Sequence, residues 1–264
     1  MKPETSQVKN VHFRSEGWDR LVGLLNSDKV GRCFLLTDTN TQRDCLDLFY
    51  KLSRLDSSRL EILTVPAGEK HKNLDTCLEL WNSLSDLGAD RSSVLVNLGG
   101  GVVTDMGGFV ASTYQRGIRF VNIPTSLLAM VDASIGGKNG VDLGNLKNQV
   151  GIIREPEFVL IDPGFLSTLD QDQLLSGQAE MFKHGLIHSA DYWNAVKEFD
   201  VNDLGLSEKL ILESVVIKDQ IVTEDPTEKG IRKALNFGHT LGHAIETHCL
   251  ESEDNRGHCF TVKP

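Results

Sequence analysis

Two histidines, His239 and His243, stand four residues apart in the run Asn236-Phe-Gly-His-Thr-Leu-Gly-His-Ala-Ile-Glu246. The surrounding apolar pattern is helical, so the two imidazoles are expected on one helix face about one turn apart. At that spacing they can share a divalent metal, or one can bind the metal while its neighbour moves protons. Two histidines packed in a helix seam are the competing explanation. Their company adds weight to the chemical one. Glu180 lies in Ala-Glu-Met-Phe-Lys-His-Gly with Lys183 three residues on, on a neighbouring helix face. A helical ion pair is the ordinary account of that pair, yet a carboxylate joined by two histidines from other elements is a common open zinc site.

A second group of residues suits phosphate and sugar hydroxyls. A strand pattern at 92–98 runs into Gly99-Gly100-Gly101-Val102-Val103-Thr104-Asp105 and then a helix. Glycines there let backbone amides approach a phosphate at the positive end of a helix. The run matches neither Gly-x-Gly-x-x-Gly nor the lysine-bearing phosphate loop, so a tight structural turn remains an alternative. Asp38 and Asn40 follow one strand pattern, and Glu69 and Lys72 another, which places them at the sheet edge where ligands of such folds sit. Asp38 could equally serve as a helix cap. Segment 124–148 reads as a polar ligand-binding loop, with Gly136-Gly137-Lys138 and Lys147-Asn148 offering cationic and amide donors. Lys72, Arg116, Lys138, Lys147, Lys183, Lys218 and Arg232 all lie in or beside these segments. Gathered together, they would give a basic pocket for a small phosphorylated or carboxylated substrate.

The elements that must position these residues fall into two stretches. Apolar or β-branched runs at 31–37, 59–65, 92–98 and 118–124 alternate with helical patterns at 41–53, 73–88 and 103–114, which implies a parallel sheet covered on both faces. After about residue 170 the patterns are helical, at 171–188, 190–199, 207–223 and 233–249. The expected class is therefore α/β: a Rossmann-like nucleotide-binding domain over 1–170, an all-α domain over 171–264, and a cleft between them. The chain of 264 residues is 40% hydrophobic, enough for a sizeable core. Its net charge of −10 argues against nucleic acid as a partner. No apolar run is long enough to span a membrane and the first residues form no apolar signal core, so a cytoplasmic location without membrane attachment is expected. The five cysteines are scattered and include no Cys-x-x-Cys, which suggests neither a disulfide framework nor a thiolate zinc site.

Taken together, Gly-Gly-Gly-Val-Val-x-Asp, Tyr-x-Arg-Gly-Ile, Pro-Thr-x-Leu-Leu-Ala-x-Val-Asp-x-Ser-x-Gly-Gly-Lys, Ala-Glu-x-x-Lys and Leu-Asn-Phe-Gly-His-x-x-Gly-His-Ala-x-Glu closely resemble the 3-dehydroquinate synthase family, in order and in spacing, from about Asp38 to His258. The resemblance implies an NAD-dependent and zinc-dependent carbon–oxygen lyase, with cobalt or another divalent ion as a possible substitute, acting on 3-deoxy-D-arabino-heptulosonate 7-phosphate in the shikimate pathway. It implies NAD contacts at Asp38, Asn40, Glu69, Lys72, Gly100, Gly101, Val102, Asp105, Thr125 and Ser126, and metal ligands Glu180, His239 and His258. Substrate contacts implied are Asp132, Lys147, Asn148 and Lys218, with catalytic roles for His243, Lys138, Lys183, Arg232 and Asn236. It further implies a homodimer in which Arg116 reaches the phosphate of a neighbouring subunit's substrate. Three departures stand out: Thr104 replaces a glycine, Asn139 replaces the usual threonine after Gly-Gly-Lys, and the sequence ends soon after His258, which implies an incomplete helical domain. Another sugar phosphate cyclase on the same scaffold, or an NAD-binding remnant without activity, are the alternatives.

Overall fold

A computed structural model describes Val8 and residues 10–144 and 146–238. In chain order the elements are β1 (Val11–Phe13), α1 (Arg14–Leu25), β2 (Cys33–Asp38), α2 (Thr39–Ser53), β3 (Glu61–Val65), α3 (Leu74–Asp86), β4 (Val94–Gly99), α4 (Gly101–Thr113), β5 (Arg119–Pro124), β6 (Lys138–Leu143), β7 (Leu146–Ile153), β8 (Val159–Ile161), α5 (Gln171–His188), α6 (Ala190–Val196) and α7 (Leu204–Glu224). Six strands form a parallel sheet in the order β1-β8-β5-β4-β2-β3. Leu35 pairs with Val96, and Val96 with Val121, so the register is fixed at the middle of the sheet. Every residue of β4 is buried, as a strand covered on both faces must be. The chain runs outward from β2 to β3 and then returns to place β4 on the other side of β2. The carboxyl ends of β2 and β4 therefore flank the point where strand order reverses.

The four strands expected at 31–37, 59–65, 92–98 and 118–124 are β2 to β5. Three features depart from the expectation. β1 and β8 add an edge that three-residue strands leave no periodic trace of. The segment 124–148 is not a loop: it contains a π-helical turn, Ala129–Ala133, and then β6, which pairs antiparallel with β7 as a separate hairpin. Of the helix expected at 233–249, Ile231–Asn236 form a 3-10 turn, 237–238 are a turn, and 239–249 lie outside the described residues.

Helix α4 lies close against both the sheet and the hairpin. A Cβ on Gly107 would fall inside the Asn97 amide, and one on Gly108 inside the Asn139 amide, so only glycine permits this approach. Phe34, Leu36, Leu95, Val103, Met106, Phe120 and Val141 form the core around it.

The chain divides into two compact units. The sheet unit comprises Lys9–Thr125 and Gly137–Thr168. The helical unit takes Val8, Ser126–Gly136 and the described residues from Leu169 onward. The sequence pattern assigns 1–170 to the sheet domain. Ser126–Gly136 instead groups with the helices because its π-helical turn packs on α5 and α7. Inside the helical unit Met181, Tyr192, Leu210, Ile211 and Val215 are buried, and the Tyr192 hydroxyl donates to the Leu210 carbonyl at 2.9 Å. No described helix is long and apolar enough to cross a membrane.

Candidate functional site

In the sheet unit the residues singled out from the sequence collect at the carboxyl ends of β2, β3 and β4. Asp38 ends β2 and caps α2: its Oδ1 accepts the N–H groups of Asn40 (2.9 Å) and Thr41 (2.8 Å). The capping explanation for this carboxylate is thus realised, with Asn40 exposed in the first helical turn. Lys72, which follows β3, is buried. Its Nζ donates to Asp105 Oδ2 at 2.6 Å and to Asn148 Oδ1 at 2.7 Å. Lys147 Nζ lies 3.9 Å from Glu69 Oε1. Three separate segments are therefore drawn to one place: 69–72, the second turn of α4, and β7. Burial alone would lower the Lys72 pKa, but Asp105 and Glu69 outweigh it and the pKa is raised.

Asp142 belongs to this cluster although the sequence reading passed over it. Its Oδ1 accepts the Asn148 N–H at 2.7 Å and its own N–H donates to the Lys72 carbonyl at 2.9 Å. Burial raises its carboxyl pKa. No local signal marks Asp142, since its partnership depends on the hairpin register.

The glycine turn joins β4 to α4. Whereas α2, α3, α5 and α7 begin under a capping side chain, α4 starts on Gly100 with none, which leaves its first amides available to a phosphate. Val102 lies in the first turn, and the Thr104 hydroxyl turns back to the carbonyls of Gly100 and Gly101, 3.3 Å from each. The Thr125 N–H donates to the Gly99 carbonyl at 3.0 Å. Ser126 falls in the helical unit, where its Oγ accepts the Ala129 N–H at 3.3 Å. Lys138 begins β6 and is exposed. Arg116 lies in the turn after α4, at the edge of the sheet opposite the glycine turn, so it does not join this group.

In the helical unit Asp132 stands on the π-helical turn, Glu180, Lys183 and His184 on α5, and Lys218 on α7. Glu180 and Lys183, both fully enclosed, form a direct ion pair. Lys218 Nζ donates to Asp132 Oδ1 at 2.6 Å and also to the Asp132 main-chain carbonyl. One ligand atom each from Asp132, Glu180 and His184 lies within 4.8 Å of the others, a spacing suited to one metal ion. His184 was not singled out from the sequence, although its place one turn after Glu180 puts it on the same helix face. Its Nδ1 meets Ser214 Oγ at 2.7 Å, while Nε2 has no partner among the described residues.

Burial pushes the His184 pKa down to about 3, so the ring is neutral and retains a lone pair. Burial would raise Asp132, but Lys218 and Lys183 hold it well below the usual carboxylate range. Lys218 is lowered by its own burial, which Asp132 only partly offsets. Arg232, also buried, donates to the Pro226 carbonyl at 3.0 Å and sits 3.5 Å from that of Gly136. Asn236 is hydrogen-bonded to Glu228. His239, His243 and His258 lie outside the described residues.

Comparison with known proteins divides the chain at residue 176. The family profile described as 3-dehydroquinate synthase N-terminal matches residues 62–176, and the one described as 3-dehydroquinate synthase C-terminal matches 177–262. The 3-dehydroquinate synthase of Parabacteroides distasonis is 48% identical over 229 residues, covering 86% of this chain but 64% of that protein, so the chain spans less than two thirds of this relative's length. Among solved structures, 2-deoxy-scyllo-inosose synthase complexed with carbaglucose-6-phosphate, NAD+ and Co2+ superposes with a TM-score of 0.79 at 26% identity, over 95% of this chain and 70% of that one. The 2-epi-5-epi-valiolone synthase of Streptomyces hygroscopicus, with NAD+ and Zn2+ bound, gives 0.78 at 26% identity, over 97% and 71%.

Proposed function

Because the chain belongs to the 3-dehydroquinate synthase family, we propose that it converts 3-deoxy-D-arabino-heptulosonate 7-phosphate to 3-dehydroquinate and inorganic phosphate, with NAD and a divalent metal, zinc or cobalt, as cofactors. The observation that carries this reading is the enclosed group of two carboxylates, one neutral imidazole and two lysines on three elements of the helical unit. Such a group offers metal donors beside cations for an anionic substrate.

The residues present fit both cofactors. Glu180 would hold the metal together with His239 and His258, and Asp132 and His184 stand beside it with further donor atoms. The uncapped start of α4 at Gly100, Gly101 and Val102 suits a pyrophosphate, with Asp38, Asn40, Glu69, Lys72, Asp105 and Thr125 on the turns around it. Ser126, next in the chain, completes the set of NAD contacts assigned. When bound, the two groups supply reversible hydride acceptance and Lewis-acid polarisation of hydroxyls.

The chain's own residues bind, orient and move protons. Lys183 and Lys218, each kept in place by a carboxylate, bind the substrate's anionic groups, and Arg232 and Asn236 orient its carboxylate. Lys138 receives the phosphate that departs, while Lys147 and Asn148 position the substrate from the hairpin. His243 handles a proton during ring opening. Lys147-Asn148 with Arg232 favours a substrate that bears a carboxylate over one that lacks it. The protein acts as a homodimer in the cytoplasm, and Arg116, placed away from its own glycine turn, reaches the phosphate held by the neighbouring subunit.

The test is phosphate release by the purified protein with NAD and Zn2+ or Co2+, offered heptulosonate 7-phosphate, heptose 7-phosphate or glucose 6-phosphate. Release from the heptulosonate alone is expected. Release only from one of the other sugar phosphates would assign the chain to another cyclase activity. Calorimetric NAD binding with no release from any substrate would make it a binding protein.

A further inference from the structure

We propose that Asn139 is a positioning residue that aims Lys138 by locking the glycine turn before it and spacing it from helix α4. The inference rests on the reading of Lys138 as a phosphate contact. Lys138 is preceded by two residues in left-handed backbone, Gly136 (φ +90°) and Gly137 (φ +66°), which have no Cβ to restrict them. The backbone at Lys138 therefore takes its course from whatever holds Gly137 and the first residues of β6.

The Asn139 side chain is buried and does this with both amide protons. Its Nδ2 donates to the Gly137 carbonyl at 2.8 Å and to the Arg154 carbonyl, just past the end of β7, at 2.8 Å. The Gly137 carbonyl also accepts the Arg154 N–H at 2.8 Å, so the turn is tied twice to the hairpin's far strand. The amide oxygen fills the place a side chain on Gly108 would take. Gly108 is on α4, whose first turn carries the glycines assigned to the cofactor. One side chain thus fixes the turn and sets the spacing between the cofactor helix and the strand that presents Lys138. A threonine, usual here in the resembled family, has one hydroxyl proton and cannot make both donations.

A double-mutant cycle tests this. N139A should lower kcat/KM for the heptulosonate phosphate roughly tenfold, as expected for losing two buried hydrogen bonds. NAD affinity by calorimetry should stay within about twofold, which also reports that the variant is folded. N139T should recover part of the loss. K138A/N139A should be no slower than K138A, because an amide that acts through the lysine has nothing left to aim. Independent, multiplying losses in the double variant, or full activity in N139A, would overturn the inference. So would a K138A variant as active as the parent. Should the parent release no phosphate, the functional reading fails on its own, and the same cycle read as affinity for inorganic phosphate still decides the role of Asn139.

Discussion

Replacing Lys72 with methionine keeps most of the buried stem and removes the ammonium that joins Asp105 to Asn148. The Lys72 side chain is 3% exposed and that of Asp105 16%, so the substitution strands a carboxylate that water reaches only at one side. Breaking a fully buried pair costs about 3–5 kcal/mol, and the residual exposure of Asp105 places this case at about 3 kcal/mol. The lost bond to Asn148 Oδ1, at 2.7 Å, is included in that figure, because a hairpin amide left facing the site can turn to solvent. Urea unfolding of the NAD-free protein measures the loss.

The pH dependence supplies a second readout. Lys72 is raised above its ordinary 10.5, so its contribution is fully present below that value and fades as pH rises through the higher folded pKa. K72M should therefore remove part of the alkaline destabilisation seen in the parent. K72M/D105L, which removes both charges, should regain stability relative to K72M. A loss below about 1 kcal/mol, the range of exposed ion pairs, would refute the claim that this cluster is an enclosed unit.

Two further outcomes follow from packing and titration. G107A places a methyl group inside the Asn97 amide, which is itself hydrogen-bonded to Asn122 at 2.8 Å; it should destabilise by about 2 kcal/mol in urea, and G107A/N97A should recover most of it. Equal stability of G107A and the parent would show that α4 does not pack this closely. His184, pushed down to about 3, is neutral in the fold but protonated in the unfolded chain below its ordinary 6.5, so stability is present above pH 6.5 and falls as pH drops from there toward 3. The slope approaches about 1.4 kcal/mol per pH unit at its steepest. In metal-free protein H184N should flatten it, and identical urea midpoints against pH for the two proteins would contradict the assignment.

The legible parts of the fold were those whose burial leaves a continuous trace. Strands β2 to β5 are apolar runs because both faces are covered, and α2 and α3 announce themselves through Asp38 and Asn73 as caps before periodic apolar residues. Strands β1 and β8 are too short to show a period, and they pair across 148 positions (Val11 with Val159), which no local pattern encodes. The hairpin leaves no strand pattern for a different reason. Most of β7 is exposed, with Leu146 at 60% and Ile153 at 68%, so apolar residues there do not mark a buried face and the alternation that identifies a strand is missing.

The same limit applies to charge. Seven cations near the motifs suggested a basic pocket, but four of them are already matched: Lys72 with Asp105, Lys147 with Glu69, Lys183 with Glu180, and Lys218 with Asp132. Only the Glu180–Lys183 pair is close in sequence; the others are brought together by strand register and helix packing. The consequence is physical. Lysines matched with carboxylates are fixed in direction before any ligand arrives, as Lys183 is by Glu180 and Lys218 by Asp132. An anion entering the helical unit therefore meets cations already oriented by Glu180 and Asp132, and has to compete with those carboxylates for them. Affinity is moderated by that competition, while geometry is gained, and residues read from sequence as simple phosphate hooks are better understood as halves of preset pairs.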